Sequence, residues 1–168
     1  MNKKNIADLL KPSLKERTKE FLEKHQYEKK SKKELKALYN DVFSAVCFTY
    51  PHDCWTKTLA AQGRPVYEYY FSRENGELGT FHSGEMIYAY RNVPKTKNYG
   101  ARDYELEEIV SSYWLNFVKY GNPNGKDTKG TPLPEWKSTG ESGGQLMEFG
   151  DTCNMIKDPF GYIYDYLR

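Results

Sequence analysis

Apolar and polar positions recur with helical spacing at the start of this chain. Over "PSLKERTKEFLEKHQ", residues 12–26, Leu14, Phe21 and Leu22 fall near one side of a helix. Pro12 suits its first turn, where a missing N–H costs nothing. A break at "YEKKS" comes next. Residues 31–46 then place Leu35, Leu38, Tyr39, Val42 and Phe43 at helical spacing, and Ser31 three residues before Glu34 is a capping-box signal. Pro51 is expected to interrupt that helix, and "HDCWTKTLAAQG" to form another that stops at Gly63.

The period then changes. "RPVYEYYFS", residues 64–72, is β-branched and aromatic with partial alternation and predicts an interior strand. "RENGELGT" is a turn-rich loop, "FHSGEMIYAY" comes after it, and "RDYELEEIVSSYWLNFVKYG" is the strongest helix, ending at Gly121. After a loop, "QLMEFG" and "TCNMI" are short strand candidates, and "DPFGYIYDYLR" closes as a helix or an extended tail. No internal repeat is present. One well-marked strand is a poor basis for an independent α/β domain, because a sheet needs several strands, and parallel ones need helices over both faces. The pattern, helix-rich with a few strands, looks like part of a sheet protein.

Composition supports an ordered core. Hydrophobic residues make up 38% and aromatics 15% of 168 residues, enough for one compact domain. The formal charge of +2 hides an asymmetry: residues 1–37 carry 12 Lys/Arg against 6 Asp/Glu. These lysines alternate with glutamates at helical spacing and lack interleaved aromatics, so residues 1–30 read as a basic, solvated helical segment and not as a nucleic-acid patch. Cys47, Cys54 and Cys153 are an odd count without a C-x-x-C pair and read as free thiols, with one disulfide the lesser alternative. No apolar run approaches a membrane span and no apolar leader opens the chain, so the expectation is no membrane partner, with a lean to the cytoplasm. His25 and His52 lack ligand spacing to another His or Cys, which argues against a metal site. His25 is expected to follow a solvated helix.

From about Ser31 to Gly150 the chain resembles the C-terminal part of the type-B carboxylesterase and cholinesterase family of α/β hydrolases. The resemblance runs through "LYNDVFSAVCFTYP", "RPVYEYYF", "GTFHSGEMIY", "YWLNFVKYGNPNG", "LPEW" and "LMEFG" in the family's order. It assigns residues 31–168 to the C-terminal part of a carboxylesterase domain and implies the matching portion of an α/β-hydrolase fold. It also implies a catalytic histidine in "FHSGE", at His82. Independently of the family, His82 lies in a Gly-flanked loop after a strand, where an imidazole is presented to a cleft and can relay a proton near neutral pH. Glu85 reads as scaffold for that loop, not as the triad acid.

The rest of a triad is not apparent. The family order is Ser, acid, His, and the 81 residues before His82 contain no G-x-S-x-G elbow and no Gly-rich oxyanion segment. Asp41 and Asp53 are acids upstream of His82, and Asp41 falls in a block that the resemblance makes scaffold. A literal G-x-S-x-G does occur at Gly140–Gly144. Yet a short polar stretch precedes Ser142, a strand candidate comes directly after it, and it stands downstream of His82, so it reads as a turn. The expectation is therefore a C-terminal fragment of a serine carboxylic-ester hydrolase that contributes His82, lacks nucleophile and acid, and is inactive alone. The ester substrate would be met only in the full-length parent. No cofactor is implied. The alternative is a non-catalytic cholinesterase-like interaction module. In either case the open sheet edge predicts self-association.

Overall fold

The apolar positions of the first 60 residues are met by helices, though not with the predicted boundaries. The computed structural model describes residues 2–74 and 79–168. Helix α1, Ile6–Leu14, buries Ile6, Leu10 and Leu14 on one face at intervals of four. Pro12 thus lies near the end of α1, not in a first turn. A proline there removes a bond to the preceding turn. The helix yields to a 3₁₀ turn at Lys15–Arg17, with Lys15 at φ 50°, before α2 resumes over Thr18–Lys24.

Helix α3, Lys32–Ser44, starts where its capping box predicts. The Ser31 N–H donates to the Glu34 carboxylate at 2.7 Å, and the Glu34 N–H donates to the Ser31 hydroxyl at 3.3 Å. Pro51 does not break the helical run. The chain widens into one π turn at Ala45–Thr49, where the Tyr50 N–H donates to the Ala45 carbonyl five residues back, and runs on as α4, Tyr50–Ala61. The wider turn accommodates a ring that would clash with the carbonyl four residues earlier and lacks an N–H to give it.

Met1–Thr58 and Pro159–Arg168 form one unit, and Leu59–Asp158 a second. The first unit is helical. Its core joins Leu10, Leu14, Phe21, Leu35 and Val42 to Ile163 and Tyr164 of a short helix, Gly161–Tyr164. That helix settles the ending of the chain, which pattern left between helix and tail. Each fully buried leucine contributes about 1.5–3 kcal/mol.

The second unit holds a sheet of three strands: β1 (Tyr69–Phe71), β2 (Gln145–Phe149) and β3 (Cys153–Lys157). β1 pairs parallel with β2, and β2 antiparallel with β3. The predicted strand over 64–72 is thus three residues long, and among the described residues it is an edge strand, not an interior one. Ordering of the flanking residues comes from elsewhere: the Val66 carbonyl accepts from the Thr139 N–H at 2.8 Å, and the Glu68 carbonyl from the Trp136 indole at 3.0 Å.

After β1 comes a short helix, α5 (Met86–Ala89), and then α6, Ala101–Tyr120. α6 packs Leu106, Val110 and Tyr113 with Phe71, Met147 and Phe149 of the sheet. Gly121 ends it in the left-handed conformation at φ 68°, as predicted. The loop predicted over 73–80 falls in part on residues 75–78, which lie outside the described residues. Among the described residues no helix is long and apolar enough to cross a membrane.

Candidate functional site

His82 stands in a tight turn that only certain residues allow. Ser83 takes φ 65°, the Gly84 N–H donates to the Phe81 carbonyl at 3.0 Å, and the Met86 N–H donates to the Ser83 carbonyl at 3.2 Å to open α5. A Cβ on Gly84 would lie 3.0 Å from the Phe81 carbonyl and 3.6 Å from the Phe71 ring, so the turn closes against β1 because residue 84 has none. The His82 side chain is exposed, and among the described residues it makes no hydrogen bond or ion pair.

The turn is braced from three directions. The Thr80 hydroxyl donates to the Arg73 carbonyl at 3.2 Å, ahead of His82. The Tyr69 hydroxyl on β1 donates to the Glu85 carboxylate at 3.3 Å, which gives Glu85 the scaffold contact expected of it. Burial, then the Glu85 charge, pushes the Tyr69 hydroxyl pKa up to about 12. Behind the turn, Tyr88 of α5 is fully buried and donates to Asp103 at 2.9 Å.

Asp103 is 1% exposed and is the third residue of α6. Its carboxylate accepts from Arg73 through Nε at 2.8 Å and Nη2 at 3.1 Å, from Tyr88, and from the Gly100 N–H at 2.7 Å. Burial alone pushes the Asp103 pKa up; the Arg73, Gly100 and Tyr88 bonds outweigh it and hold the group below the usual aspartate value. Arg73 is correspondingly raised, first by its bond to Asp103, and its other arm pairs with the exposed Asp151.

A second buried carboxylate lies further along the same helix. Glu108 is 7% exposed and accepts from Arg91 at 2.5 Å, from the Thr128 N–H at 3.1 Å and from the Thr128 hydroxyl. The Thr128 hydroxyl bond leads the effects that keep its pKa below the ordinary glutamate value. Sequence reading missed both Asp103 and Glu108. For Asp103 a signal existed: an acid at the third helical position after Gly100, the acidic half of a capping box.

Other sequence-predicted residues fall elsewhere. Ser142 is buried in a turn, donates to the Thr139 carbonyl at 3.4 Å and is followed by β2, so no nucleophile elbow forms there. Asp41 belongs to the first unit and accepts from Tyr162 at 3.0 Å. Asp53 pairs with Lys57 at 2.7 Å. His52 packs its ring 6.1 Å from that of Trp55.

His25 corrects an expectation. α2 buries Thr18, Phe21 and Leu22, and the His25 ring lies 4.4 Å from Phe21 and 5.0 Å from Tyr162 with its Nε2 buried and unpartnered among the described residues. Burial, then Lys24 and Lys30, lowers its pKa. The three cysteines are free thiols. Among the described residues no group of three or more His, Cys, Asp or Glu side chains gathers as a metal site would.

The arrangement presents a solvent-facing imidazole on a braced turn at the end of a strand–loop connection, beside a mixed sheet backed by a long helix. This is a piece of the α/β-hydrolase architecture. Two solved structures of the Geobacillus stearothermophilus carboxylesterase EST55 superpose on it. The one at pH 6.2 does so with a TM-score of 0.51 at 27% identity, over 65% of this chain and 23% of that one. The one at pH 6.8 gives a TM-score of 0.60 over 76% of this chain and 27% of that one; at 22% identity it speaks for the fold alone. The model of the carboxylesterase family matches residues 2–161, and the chain belongs to that family. Among curated proteins it is 31% identical over 121 residues to carboxylesterase 1C of Rattus norvegicus, covering 67% of this chain and 21% of the relative. It is 26% identical over 144 residues to carboxylesterase 1D of the same organism, covering 79% of this chain and 24% of the relative. The chain thus spans between a fifth and a quarter of the length of these relatives.

Proposed function

We propose that this chain is the histidine-bearing C-terminal portion of a serine carboxylic-ester hydrolase. His82 takes the proton of a serine hydroxyl supplied from outside these residues as that oxygen attacks the ester carbonyl, and delivers it to the departing alcohol. It then takes a proton from the water that attacks the acyl-serine and returns it to the serine. The observation that carries the reading is an exposed His82 without a hydrogen-bond or ion-pair partner among the described residues, on a turn braced by Thr80, Glu85 and Tyr88. A histidine with a packing or ion-pair role would be spent on that role. The chain by itself is expected to hydrolyse a short-chain aryl ester no faster than free imidazole, and Ser142→Ala is expected to change nothing. In a longer polypeptide that carries a G-x-S-x-G serine and an acid upstream, His82→Ala is expected to lower kcat by at least about 10²–10⁴-fold. An upstream reading frame without that serine, or unchanged turnover after His82→Ala, overturns the reading.

A second reading, self-association without chemistry, is favoured by a different observation. A groove of about 350 Å³ lined by Tyr67, Tyr69, Trp114, Phe117, Val118 and Trp136 opens beside β1, which among the described residues has one strand neighbour. An apolar groove beside a sheet edge suits pairing with a second copy of the chain. Light scattering that finds a 19.6 kDa monomer at high concentration rejects it.

A further inference from the structure

We propose that the Arg73–Asp103–Tyr88 cluster, centred on the buried Asp103 carboxylate, is the device that positions His82. The inference rests on reading His82 as the proton carrier and names the residues that aim it.

Among the described residues the His82 ring makes no hydrogen bond, ion pair or ring contact, so its placement is inherited from the two ends of its turn. The leading end is tied at Thr80, two residues before it, to the backbone carbonyl of Arg73. The trailing end runs into α5, where Tyr88 is buried. Both ends then meet on one group. Arg73 reaches the Asp103 carboxylate with two nitrogens, and Tyr88 reaches the same carboxylate with its hydroxyl. Asp103 is itself fixed in the first turn of the 20-residue α6 by the Gly100 N–H. One carboxylate at the end of the longest helix thereby sets the distance between the segment entering the His82 turn and the segment leaving it.

The chemistry of the parts suits this task. Arg73 offers a planar fork to the carboxylate, which fixes direction as well as distance. Asp103 is buried, so water does not compete for its lone pairs, and all its partners come from the segments being aligned or from its own helix. The Tyr69–Glu85 bond adds an outer contact, but it joins β1 to a half-exposed residue and is longer, at 3.3 Å. Glu108, the other buried carboxylate of α6, binds Thr128 and Arg91, the latter beyond the end of α5, and makes no bond to Arg73 or to the Tyr88 hydroxyl. It provides an internal comparison that joins Thr128 to the chain after α5 and does not tie the two ends of the His82 turn together.

The test is the backbone order of the turn, read by ¹⁵N relaxation on the 168-residue chain. In the unaltered chain the His82 and Ser83 amides are expected near the rigid value of about 0.85. Asp103→Asn is expected to bring them below about 0.6, the flexible range, while Thr128 and Leu133 stay rigid. Glu108→Gln is expected to do the reverse, loosening Thr128 and leaving His82 unchanged. Tyr88→Phe, which deletes one hydroxyl, keeps the measurement decisive if Asp103→Asn does not fold. It is expected to loosen His82 and Ser83 by an intermediate amount, again with Thr128 unmoved. His82 and Ser83 amides that remain rigid in Tyr88→Phe, or that loosen only together with Thr128 and Leu133, overturn the proposal. Since a general loss of stability moves all four amides alike, the selective loss separates positioning from support. The readout needs no ester turnover, so it stands or falls separately from the catalytic reading, which the kcat of His82→Ala decides.

Discussion

The two units of the chain treat buried polar groups in opposite ways. In the helical unit the core is made of aliphatic and aromatic side chains, and the buried polar atoms left unpartnered among the described residues, His25 Nε2, Thr49 Oγ1 and the Tyr166 hydroxyl, all lie there. In the sheet unit two carboxylates, Asp103 and Glu108, are buried, and each is supplied with several donors. Packing alone places helices, because matching apolar faces tolerate small slips. A loop has no such face. Where the chain turns irregularly, as on both sides of His82 and at Thr128, a saturated buried carboxylate defines its place with direction as well as contact.

The sharpest way to break this comparison is to remove Asp103. Asp103→Ala leaves Arg73 half-buried without its main partner, and is expected to cost about 3–5 kcal/mol, the range for breaking a buried pair from one side. Urea denaturation followed by the fluorescence of Trp114 and Trp136 reads the loss. A cost under about 1 kcal/mol would mean that the sheet unit, like the helical one, stands on apolar packing alone.

Two tyrosines give a finer contrast. Tyr88 and Tyr166 are both buried, but the Tyr88 hydroxyl donates to a carboxylate while that of Tyr166 is unpartnered among the described residues. Tyr88→Phe is therefore expected to lower stability by about 1.5–3 kcal/mol, as for a bond to a charged group, whereas Tyr166→Phe removes a desolvated hydroxyl and is expected to be neutral or to add up to about 1 kcal/mol. The Tyr166 ring, lying 4.5 Å from the Arg17 guanidinium, keeps that contact as phenylalanine. Equal effects of the two changes in the same urea titration would erase the distinction.

Acid should separate the units by window, with the smallest effect of the three. The His25 pKa is lowered by burial, so the unfolded chain takes a proton first; helical stability is complete above about 6.5 and is lost as pH falls through the lowered folded value. Asp103 is also lowered, so its contribution is complete above about 3.9 and is lost only below that. Thermal melting between pH 7 and pH 4.5 is expected to show a decline that His25→Phe removes and Asp103→Asn leaves in place. A decline untouched by His25→Phe would assign it to other groups.

Much of the site's frame is legible along the chain because the signals are short-range. Ser31 and Glu34 satisfy each other within one helical turn, Gly121 stops α6 through its own backbone, and the "FHSGE" turn closes because Gly84 has no Cβ. A periodic apolar face likewise announces a helix wherever it falls. The string at Ser142 could be judged from its neighbours for the same reason: the residues after it favour a strand, and β2 forms there.

What tertiary structure alone decided are the outcomes that depend on residues far away in sequence. Pro51 is a helix breaker by local rule, yet the helix runs past it through a π turn that follows the core-packed Val42 and Ala45, since burial ahead of the proline outweighs one lost bond. The strand over 69–71 is an edge or an interior strand according to what pairs with it, which its own residues do not encode. Asp103 and Arg73 are thirty residues apart, and nothing in either neighbourhood names the other. The amino-acid order determined which segments become helix, turn and strand, and that His82 stands in a turn. Only the folded chain determined what that turn is tied to, because a buried charge finds its partners through space.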